Sequence, residues 1–339
     1  MNVAVIGCGL IGRKRAKSLA PGQVVLCVDV VAERAAGLAV ESGAAHSSNW
    51  RDAIGRKDIE TLLVSATHNA LAEITLAAAR AGQHVLVEKP GACRAHEITP
   101  ILAACESTGA LVRVGFNHRY HPALVKAREI VESGALGPLM FVRGRYGHGG
   151  RLGYEKEWRA RPELSGGGEL IDQGVHLIDL ARTFLGEFVS IQGFAHTYFW
   201  DMPVEDNGFL LLKTAGEQTA FLHASCSEWK NTFSFEIYGR AGKLEISGLG
   251  GSYGVERLTH YRMLPEMGPP ETASWEYPRG DRSWEIELQE FQEDIRLRRT
   301  PSPGLRDAQR ALEIVEEVYR QSNILQDGAR ADVPCRRAG

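Results

Sequence analysis

The chain has 339 residues, 44% of them hydrophobic and 24% charged, with a formal net charge of −3. That length suggests two domains with sizeable cores, and the near-neutral balance gives no sign of a nucleic-acid or membrane partner. No apolar run is long enough to span a bilayer, and Met1 leads into a strand at once, so a cytoplasmic protein without a signal peptide is expected.

Val3-Ala4-Val5-Ile6 is a short apolar run suited to a buried strand, and Gly7-Cys8-Gly9-Leu10-Ile11-Gly12 follows it directly. This is G-x-G-x-x-G opening a helix. The first glycine permits the tight turn, the second lets backbone approach a pyrophosphate, and the third lets helix pack on strand. The helix start aims its N–H groups and the positive end of its dipole at the phosphates. A second apolar run, Val24 to Val28, ends in Asp29, where a carboxylate accepts hydrogen bonds from the adenosine ribose hydroxyls. Val30, Val31 and Ala32 supply no cation for a 2′-phosphate and Arg34 comes late, so NAD rather than NADP is expected. A helix N-cap for 32–40 is the competing reading of Asp29.

The strand–helix alternation continues, with strands expected at Ile59–Val64, His84–Val87 and Leu111–Val114 and helices at Glu33–Ser42, Asn69–Ala81 and Ala95–Ser107. Such alternation implies an α/β unit, a doubly wound parallel Rossmann sheet over residues 1–120. Ligands bind beyond the carboxyl ends of such strands. The residues placed there are Ala66-Thr67-His68-Asn69, Glu88-Lys89-Pro90, and Asn117 and Arg119 after the sixth strand. Lys89, held at a strand end by a proline, can donate to a substrate hydroxyl beside a bound nicotinamide, where a neighbouring cation would lower its pKa. A surface pair with Glu88 is the alternative. Asn117 and Arg119 are candidates for nicotinamide or substrate contact. His118 and His121 have HxxH spacing but straddle a helix start, which favours packing over metal.

From residue 121 the chain changes character. A helix over 122–133 precedes strands at Met140–Tyr146, Val189–Tyr198, Gly208–Thr214, Gln218–Ser225, Phe233–Tyr238 and Lys243–Ile246 without crossover rhythm. They predict a second, α+β domain over 121–339 with an open, mostly antiparallel sheet. The amphipathic helices Trp284–Leu297 and Leu305–Ser322 are expected to pack back on the Rossmann half. Residues 147–168 are rich in glycine and charge. A solvated loop and a substrate-binding segment with Tyr154, Trp158 and Arg159 both fit. Ser165-Gly166-Gly167-Gly168, a run that would let substrate approach, then opens an expected helix, Glu169–Leu185, on which Asp172 and His176 stand at i, i+4 with Asp179 on the same stripe. Histidine suits general-base work and a carboxylate one turn away can orient it. An ordinary helical hydrogen bond, a core histidine, and a metal pair lacking a third ligand are the competing readings. Asp201, Glu205 and Asp206 read as a solvated loop cluster. The six cysteines, at 8, 27, 93, 105, 226 and 335, show no C-x-x-C spacing, and Cys8 and Cys27 are expected in buried positions.

The glycine fingerprint, Glu88-Lys89-Pro90 and Asp172-Gln173-Gly174-Val175-His176, in this order, resemble the glucose–fructose oxidoreductase/inositol dehydrogenase/MocA (Gfo/Idh/MocA) family over nearly the whole chain. The resemblance implies an NAD-dependent enzyme oxidising a secondary hydroxyl of a sugar, sugar nucleotide, aminoglycoside-type glycoside or cyclitol to a ketone. In that reading His176 removes the hydroxyl proton, Asp172 orients it and Lys89 steadies the developing alkoxide. Similarity within 116–185 implies amino- or keto-sugar biosynthesis, with oxidation at pyranose C3 ahead of transamination. The acidic residues 201–206 would suit a cationic aminosugar, whereas Arg151, Arg159 and Arg161 would suit a phosphorylated one. A homodimer or homotetramer through the second sheet is implied as well. One departure stands out: His68 occupies the proline position of the family's Thr-Pro-Asn-type turn, and alanine replaces the histidine beyond it, so different cofactor packing is expected there. A non-catalytic NAD-binding regulator, and an enzyme that retains and recycles NAD, are the alternatives.

Overall fold

The computed structural model describes residues 1–266 and 268–324; Cys335 lies outside them. Two compact units emerge among the described residues, one of Met1–Val125 with Arg279–Leu312, the other of Lys126–Pro278 with 313–324.

In the first unit the elements are β1 (Val3–Ile6), α1 (Leu10–Lys17), β2 (Val24–Val28), α2 (Ala32–Ser42), β3 (Ala45–Ser47), β4 (Thr61–Val64), α3 (His68–Arg80), β5 (His84–Glu88), α4 (Thr99–Thr108) and β6 (Val112–Gly115). The six strands pair in parallel in the order β3-β2-β1-β4-β5-β6. Strand β1, apolar along its length, and β4, apolar after Thr61, are buried at every residue, as a sheet covered on both faces requires. The strand order reverses at β1 and β4, which opens a crevice at their carboxyl ends. Edge strand β3 escapes a reading by apolar runs because Ala45-His46-Ser47 has none. The expected helix 95–107 is a 3₁₀ turn, Ala95–Ile98, followed by α4. Pro100 falls in the first turn of α4, where a missing N–H is tolerated and deeper in a helix would not be.

Helix α5 (Pro122–Glu132) leads on to β7 (Leu139–Gly147), the single turn α6 (Pro162–Ser165), α7 (Val175–Leu185), β8 (Phe188–His196), β9 (Asn207–Thr214), β10 (Thr219–Ser225), β11 (Thr232–Gly239), β12 (Gly242–Ser247), β13 (Glu256–Arg262) and β14 (Glu271–Tyr277). These strands form one sheet in the order β14-β13-β12-β11-β7-β10-β9-β8, antiparallel except where β7 meets β10. Strict burial alternation in β11 and β12 marks one covered and one outer face. Helix α7 covers the inner one: a Cβ on Gly144 would lie 3.1 Å from Leu177 and 3.0 Å from Leu222 and Phe235, so a side chain there would press on the helix and its neighbours. Strands β13 and β14 were not among the expected ones. Their outer positions carry charge, with Arg257 paired to Glu276 across the two strands, so their apolar signal is halved.

Helices α8 (Ser283–Leu297) and α9 (Leu305–Gln321) close the described chain. In the first unit, α8 meets α1 and β5 through fully buried Arg15, which binds Glu88 at 2.7 Å and also Glu287. Burial opposes the charge of Arg15, but Glu287 and Glu88 outweigh it and hold the guanidinium above its ordinary value. Burial, helped by the charge of Glu88, pushes Glu287 up against the pull of Arg15. A second buried arginine, Arg113 of β6, ties Asp294 of α8 and the Tyr120 hydroxyl. Replacing Arg15 by methionine would leave two carboxylates buried without their shared cation. A loss of about 3–5 kcal/mol, read as a lower thermal unfolding midpoint, is expected; an unchanged midpoint would mean that the triad contributes nothing net.

Candidate active site

The turn between β1 and α1 is built as a cradle. Gly7 has φ +89°, and a Cβ there would lie 2.3 Å from the Ser65 carbonyl oxygen; one on Gly12 would lie 1.8 Å from the Gly7 oxygen. A Cβ on Gly9, by contrast, would meet nothing within 4 Å, so space opens in front of it. Gly9 is also the N-cap of α1, with no side-chain cap and no acid in the first turn, which leaves the N–H groups at Leu10, Ile11 and Gly12 for an external anion. Asp29 is not the cap of α2, whose N-cap is Val31. Its buried carboxylate instead accepts the N–H groups of Cys8, at 2.7 Å, and Val31, at 2.9 Å, which ties the end of β2 to the glycine turn. Val30 beside it is open to solvent and Arg34 is exposed on the first turn of α2. Open room at Gly9, an uncapped helix start and an acid with spare lone pairs fit a dinucleotide with free ribose hydroxyls.

The other strand ends divide. After β4, the Thr67 hydroxyl donates to Asn69 at 2.8 Å, Ala66 is half-buried, and buried His68 begins α3 one residue before the expected start. After β5, the Glu88 carboxylate is committed to Arg15, so it anchors the strand end rather than meeting solvent; Lys89 follows it, half-buried, and the Lys89–Pro90 peptide is cis. After β6, the Asn117 amide donates to Ser283 Oγ at 2.8 Å, while Arg119 binds Ser302 Oγ and Asp307, each at 3.1 Å. Both side chains are thus engaged with the C-terminal segment of the same unit. The rings of His118 and His121 pack edge to face at 5.6 Å, and His121 lies 3.8 Å from Asp281. Among the described residues no group of three or more His, Cys, Asp or Glu side chains is placed to hold a metal ion.

In the second unit the expected continuous helix 169–185 is broken into two forms. Leu170–Gly174 is a π-helical turn and α7 proper starts at Val175. The wider turn carries Asp172, and such turns concentrate at functional sites. Asp172 accepts a hydrogen bond from Arg159 Nε at 2.8 Å, and the guanidinium lies 4.6 Å over the Trp158 ring. Asp172 holds Arg159 above its ordinary value. Arg159 is therefore tied to a carboxylate inside the protein, and Arg151 pairs with Glu157 at 2.7 Å, so neither stands as an unoccupied phosphate site. Buried His176 lies against Tyr146, ring centroids 6.1 Å apart at 73°. Tyr154 Oη is 3.5 Å from one oxygen of Glu169, and His148 Nε2 is 3.5 Å from the other. Burial pushes the phenols of Tyr146 and Tyr154 up, so both stay neutral donors. Tyr146, His148 and Glu169 were missed by the sequence reading. The signal available was position, since Tyr146 and Glu169 flank the 147–168 segment and His148 stands at its start.

Two expectations are overturned here. Glu205 and Asp206 are not solvated; both are fully buried and bind backbone. Glu205 accepts the N–H groups of Gly168 and Leu170, each at 2.9 Å, and the Tyr319 hydroxyl at 2.8 Å. They are thus unavailable to a cationic aminosugar. The glycine run does not serve substrate approach either. A Cβ on Gly167 would sit 2.1 Å from the Tyr319 hydroxyl and one on Gly168 2.0 Å from the Glu205 carbonyl oxygen, so these glycines exist to let Glu205 and Tyr319 close on the turn that bears Asp172.

Burial pushes Glu205 from 4.5 up to about 7 despite its three donors. A carboxyl whose folded pKa is raised contributes stability that is complete below pH 4.5 and is lost as pH rises through 7. The unfolding midpoint of Glu205→Gln minus that of the wild type should therefore climb as pH goes from 4.5 to 7. A difference that falls over this window would mean that the donors favour the charged form.

Residues 1–116 match the oxidoreductase family with an NAD-binding Rossmann fold, and residues 124–245 match the GFO/IDH/MocA C-terminal domain. A levoglucosan dehydrogenase of Pseudarthrobacter phenanthrenivorans is 30% identical over 222 residues, 61% of this chain and 57% of its own. An inositol 2-dehydrogenase of Salmonella typhimurium is 28% identical over 196 residues, 55% of either chain. The matched stretches thus span little more than half the length of these curated relatives. The structure of a levoglucosan dehydrogenase in complex with NADH superposes with a TM-score of 0.83 at 25% identity, covering 95% of this chain and 98% of that one. With both of its parts matched in chain order, this chain belongs to the Gfo/Idh/MocA family, oxidoreductases whose first domain is an NAD-binding Rossmann fold.

Proposed function

We propose that the protein is an NAD-dependent dehydrogenase that oxidises a secondary hydroxyl of a pyranose or cyclitol ring to a ketone. The observation that carries this reading is the placement of Lys89 at the carboxyl end of β5, on the same sheet edge as the Gly9 cradle and Asp29. Relatives named for levoglucosan and for inositol both act on ring polyols, which supports the substrate class.

Bound NAD supplies the hydride acceptor. The chain's own part is to hold the substrate and to move one proton. Asp29, with lone pairs beyond those used by Cys8 and Val31, accepts the ribose hydroxyls, and the start of α1 takes the pyrophosphate. Lys89 donates to the reacting hydroxyl, and its positive charge favours the oxygen as negative charge develops there. His176 accepts the hydroxyl proton through its imidazole, whose pKa class suits that task near neutrality. Asp172, kept in place by Arg159, accepts from a neighbouring ring hydroxyl and fixes the ring.

The test is a panel of monosaccharides, disaccharides, sugar nucleotides, aminoglycosides and cyclitols with NAD⁺, followed by NADH absorbance, with the ketone position read by NMR. Lys89→Met and His176→Ala should each lower kcat by about 10²-fold or more while NADH fluorescence titration changes little. A folded wild-type protein that yields no NADH with any of them, or variants that keep full turnover, would sink the reading. A regulator that binds NAD without chemistry would give the first result.

The outer face of the second sheet supports self-association. Phe194, Leu211 and Phe221 are 73%, 47% and 50% exposed on neighbouring strands, and Phe209 stacks on His223 at 4.2 Å and 9°. A contiguous apolar patch of this kind marks an interface, and a second copy of the chain is its occupant in this proposal. Leu211→Arg should lower the mass seen by sedimentation velocity; a wild type that sediments as a monomer at micromolar concentration would exclude the assembly.

A further inference from the structure

At one end of the second sheet, Gly147, Ser225, Asn207 and His196 lie side by side on β7, β10, β9 and β8, and the loops that leave there interlock. The Glu228 N–H binds the His148 carbonyl at 3.0 Å. A Cβ on Gly150 would lie 2.4 Å from the Trp200 ring, and one on Gly149 would lie 3.1 Å from the Trp229 backbone. The Trp200 indole donates to the Cys226 carbonyl at 2.8 Å, and its ring packs on Tyr154 at 5.6 Å. Asp206 holds this loop rigid by accepting the N–H groups of Tyr198, Phe199 and Trp200 at 2.7–3.0 Å.

Onto this stiff mount are fixed two large aromatic side chains that face solvent. Trp229 is 70% exposed and Phe199 52%, their rings 4.6 Å apart at 79°. Trp229 also has φ 59°, a left-handed conformation that is strained for a non-glycine residue. Neither the strain nor the exposure helps the fold, since an indole turned to water forgoes its burial. Residues whose strain the surroundings over-determine cluster at ligand sites. The ligand chemistry follows from position, because Tyr154 joins Trp200 on one side and approaches Glu169, beside the Arg159–Asp172 pair, on the other.

We propose that Trp229 and Phe199 form a subsite for a second sugar ring, so that the physiological substrate is a glycoside or oligosaccharide and not a free monosaccharide. This rests on the dehydrogenase reading given above. A pyranose presents a face of C–H hydrogens with slight positive charge, which suits the negative face of an aromatic ring, and a rigid pair loses little entropy on binding it.

The experiment is calorimetric titration of the full-length, NADH-saturated protein with glucose, galactose and mannose against cellobiose, lactose, maltose and mannobiose. At least one disaccharide should bind about tenfold or more tightly than its component monosaccharide, and Trp229→Ala and Phe199→Ala should each erase that gain, whereas Trp229→Tyr keeps most of it. Disaccharides that bind no tighter than monosaccharides, or no binding by either class, would overturn the subsite. So would a Trp229→Ala variant that sediments as a smaller species than the wild type, since the pair would then be a contact between copies. Because the readout is binding, the two readings fail separately. Monosaccharide oxidation without a disaccharide gain defeats the subsite alone, and a gain without NADH formation from any sugar defeats the dehydrogenase alone.

Discussion

A single buried guanidinium sets the first unit in order. Arg15 sits on the helix that the glycine fingerprint opens, and its two carboxylate partners come from the end of β5 and from α8. One cation thus joins the dinucleotide turn, the strand end that carries Lys89 and a helix nearly two hundred residues further along the chain. Its demands reach into the sequence around it. Gly115 must lack a Cβ because one would lie 2.7 Å from an Arg15 nitrogen. Two carboxylates sharing one cation leave the cluster short of positive charge, which is why burial keeps Glu287 above its ordinary value. Breaking a cluster of this kind is costly because it strands a buried charge, even though an apolar replacement of all its members can be nearly neutral.

Buried carboxylates tie irregular segments in a comparable way. Asp29 answers the N–H groups of Cys8 and Val31 at the dinucleotide turn. Glu205 answers Gly168 and Leu170 ahead of Asp172, and Asp206 answers three successive N–H groups in the aromatic loop. Residues in loops lack the ladder or helix partners that satisfy backbone groups elsewhere, and a buried N–H without a partner is costly. A buried carboxyl group, able to take several donors at once, satisfies them and fixes their geometry, and the donors in turn offset part of what burial costs its charge. The acids nearest the proposed chemistry are therefore of two kinds. Those that bind backbone hold their segments in shape, whereas Asp172 is joined to the side chain of Arg159.

What could be read from the residues alone was local and periodic. The apolar runs β1, β2, β4 and β5, the glycine fingerprint and Asp29 announce themselves because each depends on neighbours within about twenty residues. The inner strands of the second sheet show by alternation. Strands β3, β13 and β14 did not, since they are polar edge strands or lie next to the edge, with one face given to charge. The Glu88-Lys89-Pro90 and Asp172–His176 motifs were legible too, as order along the chain rather than as geometry.

Tertiary structure alone decided what each charge is for. Glu205 and Asp206 look like loop acids in the sequence and prove to be buried scaffolding; Arg159 looks like a phosphate ligand and is held by Asp172. The glycines before Asp172 make room for Tyr319, a hundred and fifty residues away, and not for a substrate. Composition and spacing record which groups a segment owns. Whether a charged group faces water, a backbone N–H or another charge depends on long-range packing, and desolvation then determines whether it can remain charged at all.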